Sequence, residues 1–107
     1  MNNFHPHKAF TYMMTLDTIP SHSPAIVTKN TGEEYVLVPV INNIADMESL
    51  FTLNETGAFI WEQIDGKKSV RQIVMALTRE YDIPERIAED DVLEFIDNMR
   101  EYLIIKD

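Results

Sequence analysis

The chain contains no cysteine, which excludes disulfides, thiolate zinc sites, iron–sulfur ligands and cysteine nucleophiles. Such a chain cannot itself be a cluster-bearing radical enzyme. Its three glycines stand too far apart to form a phosphate-binding loop. No apolar run approaches the roughly 20 residues of a membrane span, and the N-terminus lacks a basic region followed by an apolar one. We therefore expect a cytoplasmic protein without a membrane partner.

Basic residues are also few, since 9 Lys and Arg stand against 18 Asp and Glu, for a net charge of −9. Binding a nucleic-acid backbone requires clustered cations that displace counterions. The C-terminal third instead concentrates acidic side chains, at Glu85, Glu89, Asp90, Asp91, Glu94, Asp97 and Glu101. This pattern argues against nucleic acid and favours a basic peptide, or the basic face of a protein, as partner.

The composition predicts one small folded domain behind an N-terminal arm. Hydrophobic residues make up 45% of the chain and charged residues 25%, which is ordinary for a globular protein. Residues 1–24 show no sustained period, so we interpret them as a flexible arm and residues 25–107 as the domain. Apolar residues alternate over positions 10–16, which leaves open a short strand or a segment that docks on a partner.

The first half of the domain predicts β-structure. Residues 25–29 and 35–41 are rich in apolar, β-branched side chains and flank a turn at 30–33, so they predict a hairpin. Residues 42–46 are predicted to form a loop. Residues 48–53 are then predicted to form a third strand that leads directly into a helix.

The junction at residues 53–61 is the most informative part of the sequence. Asn54 is a suitable cap for a helix over residues 55–64, and Gly57 would let another backbone approach closely. The helix is expected to end at Asp65-Gly66, where glycine can adopt the left-handed conformation. Trp61 is interpreted as a core anchor, with a ligand platform as the alternative.

Two further helices are predicted. The second begins at Ser69 with a capping box to Gln72, and the third follows a break at Pro84 and continues to Leu103. In the third helix, Phe95 and Tyr102 are expected at the border of the core. The positions assigned to the core of these two helices follow helical spacing: Val70, Ile73, Val74, Leu77, Tyr81, Val92, Ile96, Met99 and Leu103.

The sequence offers no convincing catalytic group. His5 and His7 could chelate a metal with a third ligand, but a solvated arm that also holds His22 is the favoured interpretation. The cluster Glu89-Asp90-Asp91 is interpreted as acidic residues that are stabilised near a helix N-terminus. We therefore expect no enzyme activity, no cofactor and no metal.

A surface groove is the remaining candidate for function. The edge of the third strand, Ser49 to Leu53, would lie beside the acidic third helix with Phe95 and Tyr102. An extended peptide can add itself to such an edge as a further strand. Two exposed aromatic residues and a rim of acids also describe an ordinary solvated helix, so both interpretations stay open.

The stretch from about Gly32 to Asp107 resembles the family of the pyrroloquinoline quinone biosynthesis protein D, or PqqD-like proteins. The resemblance rests on these residues in order: Tyr35-Val36-Leu37-Val38-Pro39, Leu53-Asn54-Glu55-Thr56-Gly57-Ala58-Phe59-Ile60-Trp61, Asp65-Gly66, Ser69-Val70, Ile73-Val74, Asp91-Val92, Phe95-Ile96, Met99 and Leu103-Ile104. It implies an α+β, winged-helix-like fold, in which a three-stranded antiparallel sheet is followed by a three-helix bundle.

The resemblance also implies a function as a non-catalytic peptide chaperone. Such a domain binds the leader of a ribosomally made precursor peptide by strand addition and presents it to a modifying enzyme, often a radical S-adenosylmethionine (SAM) protein. By position, the implied peptide-binding residues are Leu50, Phe51, Thr52, Leu53, Asp91, Phe95, Asn98, Met99 and Tyr102.

Two departures from the family pattern and two alternative functions remain. The arm is longer than a minimal member needs, which suggests docking on the partner enzyme or exchange between the subunits of a homodimer, while a monomer stays open. Residues 42–48 lengthen the connection before the third strand and leave its register open. The alternative functions are a winged-helix DNA-binding regulator and a structural subunit of a larger enzyme.

Overall fold

The computed structural model describes residues 15–105, which form a main four-stranded sheet, a separate two-stranded sheet and three helices. The strands are β1 (Ser21–His22), β2 (Ile26–Asn30), β3 (Tyr35–Ile41), β4 (Ile44–Ala45), β5 (Phe51–Leu53) and β6 (Leu103–Ile104). The helices are α1 (Glu55–Gln63), α2 (Val70–Tyr81) and α3 (Glu85–Asn98), followed by a 3-10 turn, Arg100–Tyr102. None of the helices in this part of the chain is long and apolar enough to cross a membrane.

The strand β3 is the centre of the main sheet. It pairs antiparallel with β2 on one side, with Ile26 opposite Pro39. On the other side it pairs antiparallel with β5, with Tyr35 opposite Leu53. Among residues 15–105, no strand pairs with the second edge of β5. This sheet and the three helices confirm the predicted fold class.

The connection between β3 and β5 differs from the prediction. Residues 42–46 were expected to form a loop, but Asn42 and Asn43 adopt φ values of 54° and 65° and close a hairpin that pairs Ile41 with Ile44. Asparagine tolerates this left-handed conformation better than other non-glycine residues. The third strand is also shorter than predicted, since it begins at Phe51 rather than at position 48. A turn in which the Ser49 N–H donates to the Asp46 carbonyl at 3.2 Å precedes it.

The helix starts follow the predicted local chemistry. The Gly57 N–H donates to Asn54 Oδ1 at 2.7 Å, which satisfies one of the N–H groups that a helix start leaves without an acceptor. Ser69 and Gln72 form the reciprocal capping box at the start of α2. The end of α1 differs from the prediction: Gly66 has a φ of 78°, but the helix already stops at Gln63, because Ile64 is extended with φ −79° and ψ 102°.

The end of α3 was predicted wrongly. The helix was expected to continue to Leu103, but it stops at Asn98, and Tyr102 lies in the 3-10 turn. The chain leaves the helical conformation at Met99, with φ −96° and ψ 16°, so that Leu103 and Ile104 can pair with β1. Tertiary pairing here overrides the helical spacing, although Met99 and Leu103 are buried as expected.

Part of the predicted arm packs against the domain. The segment of residues 15–23, which we call the N-terminal strap, crosses the start of α2, where Val70 and Arg71 donate their N–H groups to the carbonyls of Thr18 and Leu16, both at 2.8 Å. These N–H groups have no acceptor within the helix. Residues 1–14, which include His5, His7 and the alternating positions 10–14, lie outside the described residues.

The core lies between the sheet and the helices. Leu37 and Leu53 from the sheet pack with residues from all three helices. Trp61 is 1% exposed, which confirms its interpretation as a core anchor. The remaining members of this buried cluster are Ile60, Ile64, Val70, Ile73, Val74, Leu77, Ala88, Val92, Ile96, Met99 and Leu103.

Candidate functional site

We call the groove the surface between the edge of β5 that no strand in residues 15–105 pairs with and the C-terminal half of α3. Because α1 begins directly after β5, its first turn lies at the floor of this groove against α3. There a hollow of about 360 Å³ is lined by residues of the junction and of α3: Asn54, Thr56, Gly57, Ile60, Asp91, Glu94, Phe95 and Asn98.

The predicted binding residues of the strand divide into exposed and buried side chains. Leu50 is 38% exposed and Phe51 is 41% exposed, and Thr52 is exposed as well. Leu53 is buried in the core, so its side chain is not at the surface. Only the backbone of Leu53 lies at the sheet edge.

The predicted residues of α3 and the following turn also divide into two groups. Asp91 and Asn98 are exposed, while Phe95 and Tyr102 are half-buried. Asp91, Phe95 and Asn98 line the same hollow. Met99 is 4% exposed and belongs to the core, so its side chain supports the groove from beneath.

Tyr102 joins the end of α3 to the segment before β5. Its ring meets the Phe51 ring edge to face, with centroids 6.4 Å apart. Its hydroxyl donates to the Ser49 carbonyl at 3.3 Å, and its own carbonyl accepts from the Ser23 N–H of the strap at 2.9 Å. Tyr102 therefore fixes the approach of α3 to β5 and links the groove to the strap.

Gly57 sets the width of the hollow, a role that the residue-level prediction missed. A Cβ at this position would lie 3.1 Å from Asn54 Oδ1 and 3.3 Å from Phe95 Cε1. Both distances are shorter than ordinary van der Waals contact. The prediction that Gly57 lets another backbone approach closely is wrong in one respect, because its near neighbours are the Asn54 and Phe95 side chains.

The groove is acidic. Asp91 and Glu94 are its only charged lining residues among those described, so no cation neutralises them within the hollow. The strongest pKa shifts lie elsewhere. Burial and the neighbouring Glu62 carboxylate raise the pKa of Tyr35 to about 12. The N–H groups of Lys68 and Lys67, together with the Lys68 ammonium, lower the pKa of Asp65 below its usual range.

The groove offers shape, charge and main-chain hydrogen-bonding groups. Within residues 15–105, no group of three or more His, Asp or Glu side chains is arranged to hold a metal ion. The features present suit recognition of an extended chain, in which main-chain hydrogen bonds supply affinity and side-chain pockets supply specificity.

Comparison with known proteins gives two similar solved structures. One is TbiB1 in complex with the TbiA(beta) leader peptide, with 26% identity, a TM-score of 0.65, and coverage of 78% of this chain and 93% of that one. The other is the solution structure of the PqqD truncation of Methylobacterium extorquens PqqCD, described as a stand-alone recognition element for ribosomally synthesised and post-translationally modified peptides. It shares 19% identity at a TM-score of 0.66, over 88% of this chain and 97% of that one, and supports the fold.

Sequence comparison identifies the family. The PqqA binding protein of Azotobacter vinelandii is 41% identical over 54 residues, which are 50% of this chain and 58% of that protein. The chain therefore matches little more than half the length of this relative. The profile of the family described as coenzyme PQQ synthesis protein D (PqqD) matches residues 34–105. This match spans more than half of the chain, with β3, β4, β5 and all three helices, and the protein belongs to the PqqD family.

Proposed function

We propose that this protein binds the leader segment of a ribosomally made precursor peptide in the groove between β5 and α3. The observation that carries the proposal is the unpaired edge of β5 beside the hollow at Gly57 and Phe95. A leader that pairs with residues 51–53 would complete the hydrogen bonds of this edge.

The hollow and its rim define the peptide that would fit. The Phe95 ring suits contact with one apolar side chain of the leader, because it is half-buried and forms part of the wall of the hollow. Asp91 and Glu94 suit a Lys or Arg of the leader at the rim. We therefore expect a leader with an apolar anchor that is followed or preceded by a basic residue.

The similarity to a PqqA binding protein and to a leader-peptide complex supports this proposal. We further propose that the protein is not itself an enzyme and presents the peptide to a separate modifying enzyme of the radical SAM class. The DNA-binding alternative is not favoured, because the exposed positions of α3 include Asp90, Asp91 and Glu94, which would repel a phosphate backbone.

The test is a titration of the isotope-labelled protein with the precursor peptide encoded beside it, followed by backbone amide shifts. Shifts concentrated at Leu50 to Leu53 and along Asp91 to Tyr102 would support the proposal. A peptide with the same composition in scrambled order is the control and should leave these amides unchanged. If a saturating amount of the native peptide moves neither region, the groove assignment is wrong.

A further inference from the structure

The outer face of α2 carries a basic stripe in an otherwise acidic protein. Its members recur every three or four residues, so they lie on one side of the helix, opposite the buried Ile73 and Leu77. With Gln63 at the end of α1, they line a hollow of about 420 Å³. We call this set the α2 stripe: Lys68, Arg71, Gln72, Met75, Ala76 and Arg79.

The charge of the α2 stripe contrasts with that of the whole chain. The chain has 9 basic residues and a net charge of −9, yet Lys68, Arg71 and Arg79 all line this hollow and no carboxylate does. The groove has the opposite pattern, with Asp91 and Glu94 on its rim and no cation. The two surfaces therefore suit ligands of opposite charge.

The cations of the α2 stripe are available to a partner. Lys68 pairs with Asp65 at 3.1 Å and Arg71 pairs with Asp17 at 3.2 Å, but these pairs are solvent-exposed, and the Asp17 side chain is 82% exposed. Exposed pairs are weak, so carboxylates of another molecule can replace them. Arg79 forms no salt bridge with any other residue in the range 15–105.

An apolar residue lies at the centre of the α2 stripe. Met75 is 40% exposed, with Arg71 one turn before it and Arg79 one turn after it. A methionine side chain is flexible and adapts its shape to an apolar partner. The matching ligand is thus acidic at both ends and apolar in the middle.

We propose that the α2 stripe binds an acidic, amphipathic segment of a partner protein. From Arg71 to Arg79 the helix rises about 12 Å, which an extended chain covers with about four residues. The hollow opens at the end of α1, whereas the groove lies at its start against α3. Both surfaces can be occupied together, and this inference does not depend on a peptide in the groove.

The test uses the full chain, labelled with nitrogen-15, and the capped pentapeptide Glu-Glu-Leu-Glu-Glu as the probe. Amide shifts should concentrate between Gln63 and Arg79 and should weaken as salt is added. The control peptide Gln-Gln-Leu-Gln-Gln should cause none. Equal shifts around Lys29 and Arg86, or no shift at a saturating concentration, would overturn the proposal, because the charge of this face would then have no specific effect.

Three variants separate specific binding at the α2 stripe from general electrostatic attraction. Arg79→Glu should weaken binding of the probe by about tenfold or more, whereas the matched variant Arg86→Glu, an exposed arginine on α3, should change it by less than about twofold. Met75→Ser should weaken binding of the leucine probe but not of a probe with serine in its place. Equal effects of the two arginine variants would contradict a specific site, and stronger binding of a short oligothymidylate than of the probe would indicate a nucleic-acid ligand instead.

Discussion

The imidazole of His22 stacks flat on the indole of Trp61, with ring centroids 3.8 Å apart and an interplanar angle of 9°. His22 Nε2 also lies 2.8 Å from the Trp61 carbonyl oxygen, to which it donates when it carries the proton. The Trp61 indole N–H in turn donates to Thr28 Oγ1 at 3.1 Å. Trp61 therefore connects the N-terminal strap, α1 and β2.

Replacement of His22 by alanine should loosen the strap. The loss of the stack and of one hydrogen bond should lower the free energy of unfolding by roughly 1–2 kcal/mol. The Val70 and Arg71 amides, which donate to the strap, should then exchange their hydrogens faster, as measured by NMR. His22→Phe keeps a ring on Trp61 and should show a smaller change. Unchanged exchange in His22→Ala would mean that other contacts hold the strap.

The sequence predicted those elements whose cause is local. The Ser69–Gln72 capping box and the β-branched run of β3 are specified by neighbouring residues, and both were confirmed. The strap was missed because its partners are distant in sequence, since Ser21 pairs with Ile104. A short segment gives no periodic signal of a partner so far along the chain.

The hairpin at Asn42-Asn43 was missed for a different reason. The signal was local and present, because two consecutive asparagines suit the left-handed turn that they form.

The candidate groove was predicted only in part, because helical spacing is a local signal and helix crossing is not. Helical spacing placed Phe95 at the core border, but spacing alone could not show that Phe95 faces Gly57, since the crossing of α1 and α3 depends on the packed core.

Replacement of Phe95 by alanine should weaken peptide binding without unfolding the domain. Full burial would make a Phe→Ala change cost about 3–5 kcal/mol, but Phe95 is half-buried, so we expect a loss of about 2 kcal/mol in the free energy of unfolding. The affinity for the precursor peptide should fall by about tenfold or more, because the wall of the hollow is removed. Calorimetry and denaturant unfolding measure the two effects.

The matched control for this change is Leu93→Ala. Leu93 is also half-buried against the core on α3, but it stands two positions earlier and faces away from Phe95. The Leu93→Ala change should lower the free energy of unfolding by a similar amount and leave the affinity for the precursor peptide nearly unchanged. A parallel loss of affinity in both variants would show that binding follows stability and that Phe95 has no direct contact with the peptide.

Replacement of Gly57 by alanine tests the width of the hollow. Alanine normally stabilises a helix interior by roughly 0.5–1 kcal/mol relative to glycine. Here the new Cβ would crowd Asn54 Oδ1 and Phe95 Cε1, at 3.1 and 3.3 Å. The two effects oppose each other, so the free energy of unfolding should stay within about 1 kcal/mol of the wild type. Peptide affinity should nevertheless fall several-fold, and an unchanged affinity would place the peptide elsewhere.

Tyr35 should make the stability of the domain depend on pH in the alkaline range. Burial and the nearby Glu62 carboxylate raise its pKa from 10.0 to about 12 in the folded protein. Below pH 10 Tyr35 keeps its proton in both the folded and the unfolded chain, so the full stabilisation that protonated Tyr35 gives the folded state is present. Between pH 10 and about 12 the unfolded chain loses this proton first, so stability should fall as pH rises, by roughly 1–2 kcal/mol after allowance for solvent screening.

Urea unfolding of the wild type and Tyr35→Phe at pH 9 and pH 11.5 measures this effect. Phenylalanine cannot ionise, so the variant should gain stability relative to the wild type at the higher pH, while titrations shared by both proteins cancel in the difference. Absorbance titration of the folded wild type should show one tyrosine that ionises only near pH 12. A stability difference that is equal at the two pH values would mean that Tyr35 ionises at the same pH in both states.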